Sequence, residues 1–204
     1  MSKEESPPFP RGSTFYDGAT IDSANLGGVD LEGREWVFED LDLTTAGAKA
    51  HRTNFQVRCR IVRNSSGVTI VPNRVVTYQS TNWGKRIDGM CDLLSENAAG
   101  VVDEWLPTAG VVANDLFWIV VEGPAMCNTT GAAITETINV GDWVVAASAA
   151  ASTGGTLAGR IQSQLSNAAT LPLINQVQNR LGRAMTARTA DNTNSNTLVY
   201  IKHL

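Results

Sequence analysis

The sequence predicts a mainly β protein: an antiparallel sandwich or barrel-like domain with an extended N-terminal arm and one or two short helices. Three observations point there. FQVRCRIVR, 55–63, sets Phe55, Val57, Cys59 and Ile61 on one face and Gln56, Arg58 and Arg60 on the other, the period-2 pattern of a half-buried strand. Short apolar runs recur between Gly, Asn and Pro turns, which is the spacing of an all-β domain. Charged residues are only 18% of the chain, and small polar residues take their place, as in turn-rich β proteins and in chains that bury surface against neighbours.

Taken in order, residues 1–50 stand apart. Pro7, Pro8 and Pro10 hold the start extended, and repeated Gly and Asp leave no room for a long element before Arg34. GREWVFEDLDL, 33–43, supplies one strand with Trp36 and Phe38 on one face. We therefore expect an acidic arm or irregular lobe over 1–50 and a β-rich domain over 51–204. After the strand at 55–63, Asn64-Ser65-Ser66-Gly67 turns the chain and VTIV, 68–71, returns. Pro72-Asn73 breaks it and RVVTY, 74–78, begins another strand. Met90–Glu96 suits one or two helical turns. Strands are expected at Val101–Glu104, Leu116–Glu122, Ala133–Ile138 and Asp142–Ala147, with Gly141-Asp142 as the tight link between the last two. Leu116–Val121 is apolar throughout, so it reads as a central strand covered on both faces, with Pro124 ending its pairing. TLAGRIQ, 156–162, follows a Gly-Gly turn. Thr170 and Pro172 then suit the start of a helix whose Leu173, Ile174, Val177 and Leu181 share one side. LGRAMTA, 181–187, and TLVYIKHL, 197–204, read as a closing hairpin across DNTNSN.

Little in the chain points to catalysis. There is no G-x-S-x-G, no S-x-x-K and no phosphate-binding loop. His51 and His203 are the only histidines, and Cys59, Cys91 and Cys127 lack a C-x-x-C spacing. A zinc site of ordinary spacing is therefore not expected, and the cysteines read as buried, reduced thiols. No catalytic residue, metal or cofactor is assigned. Asp40/Asp42 and Asp103/Glu104 are the paired carboxylates a glycosidase would need. Neighbours on a strand point to opposite faces, so Asp103 and Glu104 are not expected to converge, and the acidic positions read as solvated. DNTNSN has one acid and reads as a hairpin loop rather than a calcium site. The N-terminus lacks the apolar segment of a signal peptide, and no run is long enough to span a bilayer.

Charge is segregated. Residues 1–50 hold ten acidic and four basic residues, whereas residues 51–86 hold Arg52, Arg58, Arg60, Arg63, Arg74, Lys85 and Arg86 with no acid. This segment reads either as a solvated strand face or as a basic surface that docks an acidic one, on a partner or on an arm, its own or a neighbour's. Nucleic acid is not the expected partner, because the net charge is −4 and only Tyr78 and Trp83 lie among the cations. The candidate interface comprises Arg58, Arg60, Arg63, Arg74, Lys85 and Arg86, with Phe9, Phe15, Tyr16, Trp36 and Phe38 from the arm.

The blocks RCRIVRNSSGVTIVPNRVVTY, GKRIDG, AGVVDEWLPTAGVVANDLFWIVVEGPA, INVGDWVVAA and LGRAMTA, with an apolar terminal strand, resemble head decoration or minor capsid proteins of tailed bacteriophages. The resemblance covers about residues 52–204 and is most specific at 114–125, 141–142 and 182–184. It implies a virion structural protein, assembled in the host cytoplasm and seated on the outer capsid surface, that cements the shell by bridging major capsid subunits. Its expected partners are the major capsid protein and further copies of itself, a homotrimer ahead of a dimer. A fibre, spike-base or host-surface binding module is the alternative, with Trp36, Trp83 and Trp105 as candidate glycan contacts.

Overall fold

The computed structural model describes residues 6–15, 31–42, 50–91, 98–129, 137–147, 158–164, 180–188 and 195–202. They form ten strands: β1 (Glu35–Asp42), β2 (Ala50–Asn64), β3 (Val75–Tyr78), β4 (Arg86–Met90), β5 (Ala98–Val102), β6 (Leu116–Asn128), β7 (Trp143–Ala146), β8 (Ile161–Ser163), β9 (Arg180–Ala184) and β10 (Asn196–Ile201). The protein is mainly β, and no helix occurs among the described residues. The strands join in the order β1-β2-β4-β3-β5-β6-β10-β9-β7-β8, and β2 also pairs with β6. That added pairing closes a circuit through β2, β4, β3, β5 and β6. The sheet is mixed rather than purely antiparallel, since β2 and β4 run parallel at Arg63↔Arg86 and Asn64↔Ile87.

β6 explains why six successive large apolar residues occur together. Alternate side chains serve two different cores. Leu116, Trp118 and Val120 join a cluster with Val57, Cys59, Ile61 and Val199. Phe117, Ile119 and Val121 join a second cluster with Val62, Ile70, Val76, Ile87 and Val102. A strand buried on both faces gains nothing from polar alternation, so none appears.

Several elements depart from the sequence expectation. β6 does not end at Pro124; it changes partner there. Residues 116–122 pair with β2, and residues 123–128 pair with β10. The bond from the Thr129 amide to the Ser195 carbonyl fixes the ladder's parity, so Tyr200↔Pro124 falls on a pair that exchanges no backbone hydrogen bond. Proline costs the ladder nothing at such a position. Gly123 is required beside it: its φ is +100°, and a Cβ would lie 2.3 Å from the Gln56 carbonyl oxygen.

β4 occupies a stretch not expected as a strand, and Met90 ends it instead of opening a helix. β5 begins earlier than expected and stops at Val102, leaving Asp103 and Glu104 beyond the strand. VTIV contributes only a bridge from Ile70 to Val111. Arg180 and Leu181 lie in β9, while residues 170–179 of the expected helix, the remainder of Met90–Glu96 beyond Cys91, and residues 133–136 lie outside the described residues. The closing hairpin is present as β9 against β10, with Val199↔Ala184 in register. No helix among the described residues is long and apolar enough to cross a membrane.

Trp118 is wholly buried and Trp83 is 60% exposed. Trp118→Ala is expected to lower the unfolding free energy by about 3–5 kcal/mol, and Trp83→Ala to change it by less than about 0.5 kcal/mol, in urea denaturation.

Candidate functional site

Among the described residues, the seam between the N-terminal part and the body carries most of the ion pairs. β1 pairs with β2 from Glu35↔Arg60 to Asp42↔Ala50, so the acidic strand lies directly on the basic one. Phe9 and Leu31 are buried in the Trp118 cluster, and Phe15 bridges to Leu116. The rings of Phe9, Trp36 and Phe38 surround Trp118 at centroid distances of 5.1, 5.6 and 5.3 Å, and Phe9 stacks on Phe15. The Trp118 indole N–H donates to the Phe9 carbonyl at 3.2 Å, so burial leaves its one polar atom satisfied.

Beside these rings runs a buried chain of ions. Asp103 accepts from Arg11 Nε at 3.1 Å, from Arg11 Nη2 at 2.7 Å and from the Gly12 amide at 2.8 Å. Arg52 donates to Glu104 at 2.7 and 2.9 Å and to Asp40 at 2.6 and 3.1 Å, and Thr53 Oγ1 donates to Asp40 at 2.7 Å. Arg11 also stands 4.0 Å from Glu104, which links the two halves. Asp40 and Asp103 have fully buried side chains. Asp103 and Glu104 do converge, contrary to expectation, because β5 has already ended and they sit in a turn. Nor is Asp40 solvated. Arg52 meets Glu104 fork to fork, one N–H on each oxygen, whereas both Arg11 bonds go to Asp103 Oδ1 and the Gly12 amide takes Oδ2.

Burial works against the charge on Arg52 and Arg11, but their carboxylate partners hold both above the ordinary guanidinium value. Burial pushes the Glu104 carboxyl up, opposed by its bonds to Arg52 and by Arg11. Burial likewise pushes the Cys59 thiol up to about 12, with Arg11 pulling the other way, so this cysteine is an inert core group. Cys91 and Cys127 are also buried and unbridged.

A second, more open set faces solvent. Glu32 pairs with Arg63 and, at 3.1 Å, with Arg86. Glu35 pairs with Arg60 and, at 3.6 Å, with Arg58, which also reaches Glu122 at 3.2 Å. Arg60 donates to the Tyr78 hydroxyl. Among the candidate interface residues, then, Arg58, Arg60, Arg63 and Arg86 meet acids, mostly from the chain's own first fifty residues. Arg74 lies elsewhere, donating to the Ala158 carbonyl at 3.1 Å; burial and the nearby Arg160 lower its pKa to about 10. Lys85 is exposed at a cleft of roughly 580 Å³ shared with Tyr78 and Trp83. Phe9, Phe15, Trp36 and Phe38 pack within this chain, and Tyr16 lies outside the described residues. Sequence reasoning counted Arg52 only within the basic segment and did not single out Arg11, because their buried acids lie 12 to 92 residues away and no local spacing marks the pairing.

No family model matches the chain, and no curated protein proves similar to it. The resemblance to phage decoration proteins thus rests on the sequence blocks alone. The most specific block, NDLFWIVVEGPA, contains Leu116–Val121, the doubly covered part of β6.

Two outcomes are expected from the ion chain. Arg52→Gln strands two buried carboxylates and is expected to cost about 3–5 kcal/mol in urea denaturation. Because Glu104 binds its proton more tightly folded than unfolded, its ionisation subtracts stability as pH rises. Wild-type stability is therefore expected to fall relative to Glu104→Gln as pH increases above the ordinary glutamate value of 4.5, read from paired urea midpoints.

Proposed function

We propose that this chain is a structural virion protein that decorates and cements the outside of a phage capsid by bridging major capsid subunits, acting as a homo-oligomer, a trimer ahead of a dimer, and catalysing nothing. The observation that carries the proposal is the ordered series of sequence blocks over about residues 52–204, whose most specific member is the central strand of the fold. The closed circuit of β2, β4, β3, β5 and β6, read as a small barrel-like body, suits a protein that must transmit load without deforming.

The internal pairing of the basic strand changes how attachment is expected to work. Arg58, Arg60 and Arg63 already have acidic neighbours, so the contact with the shell falls to other groups. Val37, Phe55, Val68, Trp83, Val112 and Val140 are each at least half exposed, an apolar supply for contacts that repetition on a lattice multiplies.

Host-surface binding is the second reading. It is favoured by Trp83, which stands at a centroid distance of 5.3 Å from Tyr78 beside an open cleft, an arrangement suited to stacking on a ligand face.

The test is reconstitution. Purified protein mixed with heads lacking it is expected to co-sediment at roughly hundreds of copies per head, against roughly tens for a fibre or spike base, as a repeated lattice site requires. Heads so treated are expected to resist heat and chelators better. Failure to bind such heads contradicts the proposal, and binding of Trp83-dependent glycans without head binding favours the second reading.

A further inference from the structure

The outer edge of β1 is built to accept another strand. Its parity follows from the way the strand begins. Gly33, at φ +88°, donates to the Ile61 carbonyl at 2.8 Å, and the Ile61 amide donates to the Arg34 carbonyl at 2.9 Å. This is a bulge in which Gly33 and Arg34 together face Ile61, and it makes Arg34, Trp36 and Phe38 the residues bonded to β2. The amides and carbonyls of Glu35, Val37 and Glu39 consequently point away from the sheet. β1 is an end strand, and among the described residues no backbone hydrogen bond is made to that edge.

A cleft of roughly 420 Å³ lies along the same edge. Consecutive Val37, Phe38 and Glu39 all line it. Residues on opposite faces of one strand share a cavity only where it follows the strand's edge. Its far wall includes Pro7, Pro10 and Trp105. The two prolines have no amide with which to claim the carbonyls of β1. Val37 is 53% exposed, an apolar side chain left in the open on an edge.

Charge decides the occupant. Glu39 is exposed, and no ion pair among the described residues engages it. A second copy of β1 paired through Val37 would set Glu35 against Glu39 at two places, which like-charge repulsion opposes. We propose that this edge binds an extended segment of a partner protein by strand addition, the segment carrying apolar side chains at alternate positions and a Lys or Arg opposite Glu39. The edge accepts such a segment whether or not the partner is a capsid protein.

The probe is the capped peptide Thr-Lys-Val-Arg-Val-Lys-Val-Thr, titrated into the full-length protein to roughly 1 mM and followed by amide NMR shifts. Shifts are expected at Val37, Glu39 and the Trp105 indole. A twin N-methylated at alternate residues, and an analogue with Glu in place of Lys and Arg, are each expected to bind at least about tenfold more weakly. Val37→Pro removes an outward N–H and is expected to weaken binding to the same degree. Glu39→Lys leaves the backbone edge intact and is expected to reverse the preference between the basic and acidic peptides. Equal binding of the N-methylated twin, shifts confined to another surface, an unchanged charge preference in Glu39→Lys, or no shifts at all would each overturn the proposal.

Discussion

Asp40, Asp103 and Glu104 sit in the interior, and the way the N-terminal residues lie on the body follows from the need to keep them company. An uncompensated buried carboxylate costs several kcal/mol, more than a single ordinary hydrogen bond returns. Two guanidinium groups solve the problem from different parts of the chain. Arg52 comes from β2 and spans Asp40 and Glu104; Arg11 comes from the N-terminal segment and closes on Asp103. Pulling the segment away would strand Asp103 and uncover Trp118 together. The ion chain makes the position specific, and the aromatic packing supplies the burial that holds it there, since a buried ion pair alone is weak evidence for stability.

That coupling accounts for the segregation of charge along the sequence. An acidic N-terminal stretch followed by a basic strand leaves open whether the cations face solvent, a partner, or an acidic arm, the chain's own or a neighbour's. In the folded chain the two lie side by side, Glu32 and Glu35 against Arg58, Arg60, Arg63 and Arg86. The outer pairs are partly exposed and each is worth little, whereas the inner chain fixes register. What remains for neighbours is a different surface: scattered exposed apolar side chains and the outer edge of β1.

Where the pattern along a single strand decides, the sequence was legible. β2 was readable from its alternation at Val57, Cys59 and Ile61, although Phe55, expected on the same buried face, is half exposed against Tyr200; β6 was readable from its unbroken apolar run, and the closing hairpin from two apolar stretches across a polar loop. Where long-range contacts decide, it was not. Pro124 looked like a stop because the change of partner from β2 to β10 leaves no local mark. Asp103 and Glu104 looked divergent because the end of β5 two residues earlier than expected is set by packing, not by a breaker residue. RIDGM carries one large aliphatic residue and a glycine, too weak a pattern to announce β4, which exists because β2 and β3 offer it free edges. The candidate site was half readable: its basic members were named, but their acidic partners lie at sequence separations of 23 to 64 residues.

If the N-terminal segment is an integral part of its own subunit, its hydrogen bonds should be as durable as those of the sheet. Hydrogen exchange of the Gly12 amide and the Trp118 indole N–H in the isolated full-length protein measures this directly. Protection of both to the level of the β6 amides, lost on Asp103→Asn while β6 itself stays protected, is the expected result. Exchange of either proton in the wild-type protein at the rate of an open peptide would contradict it.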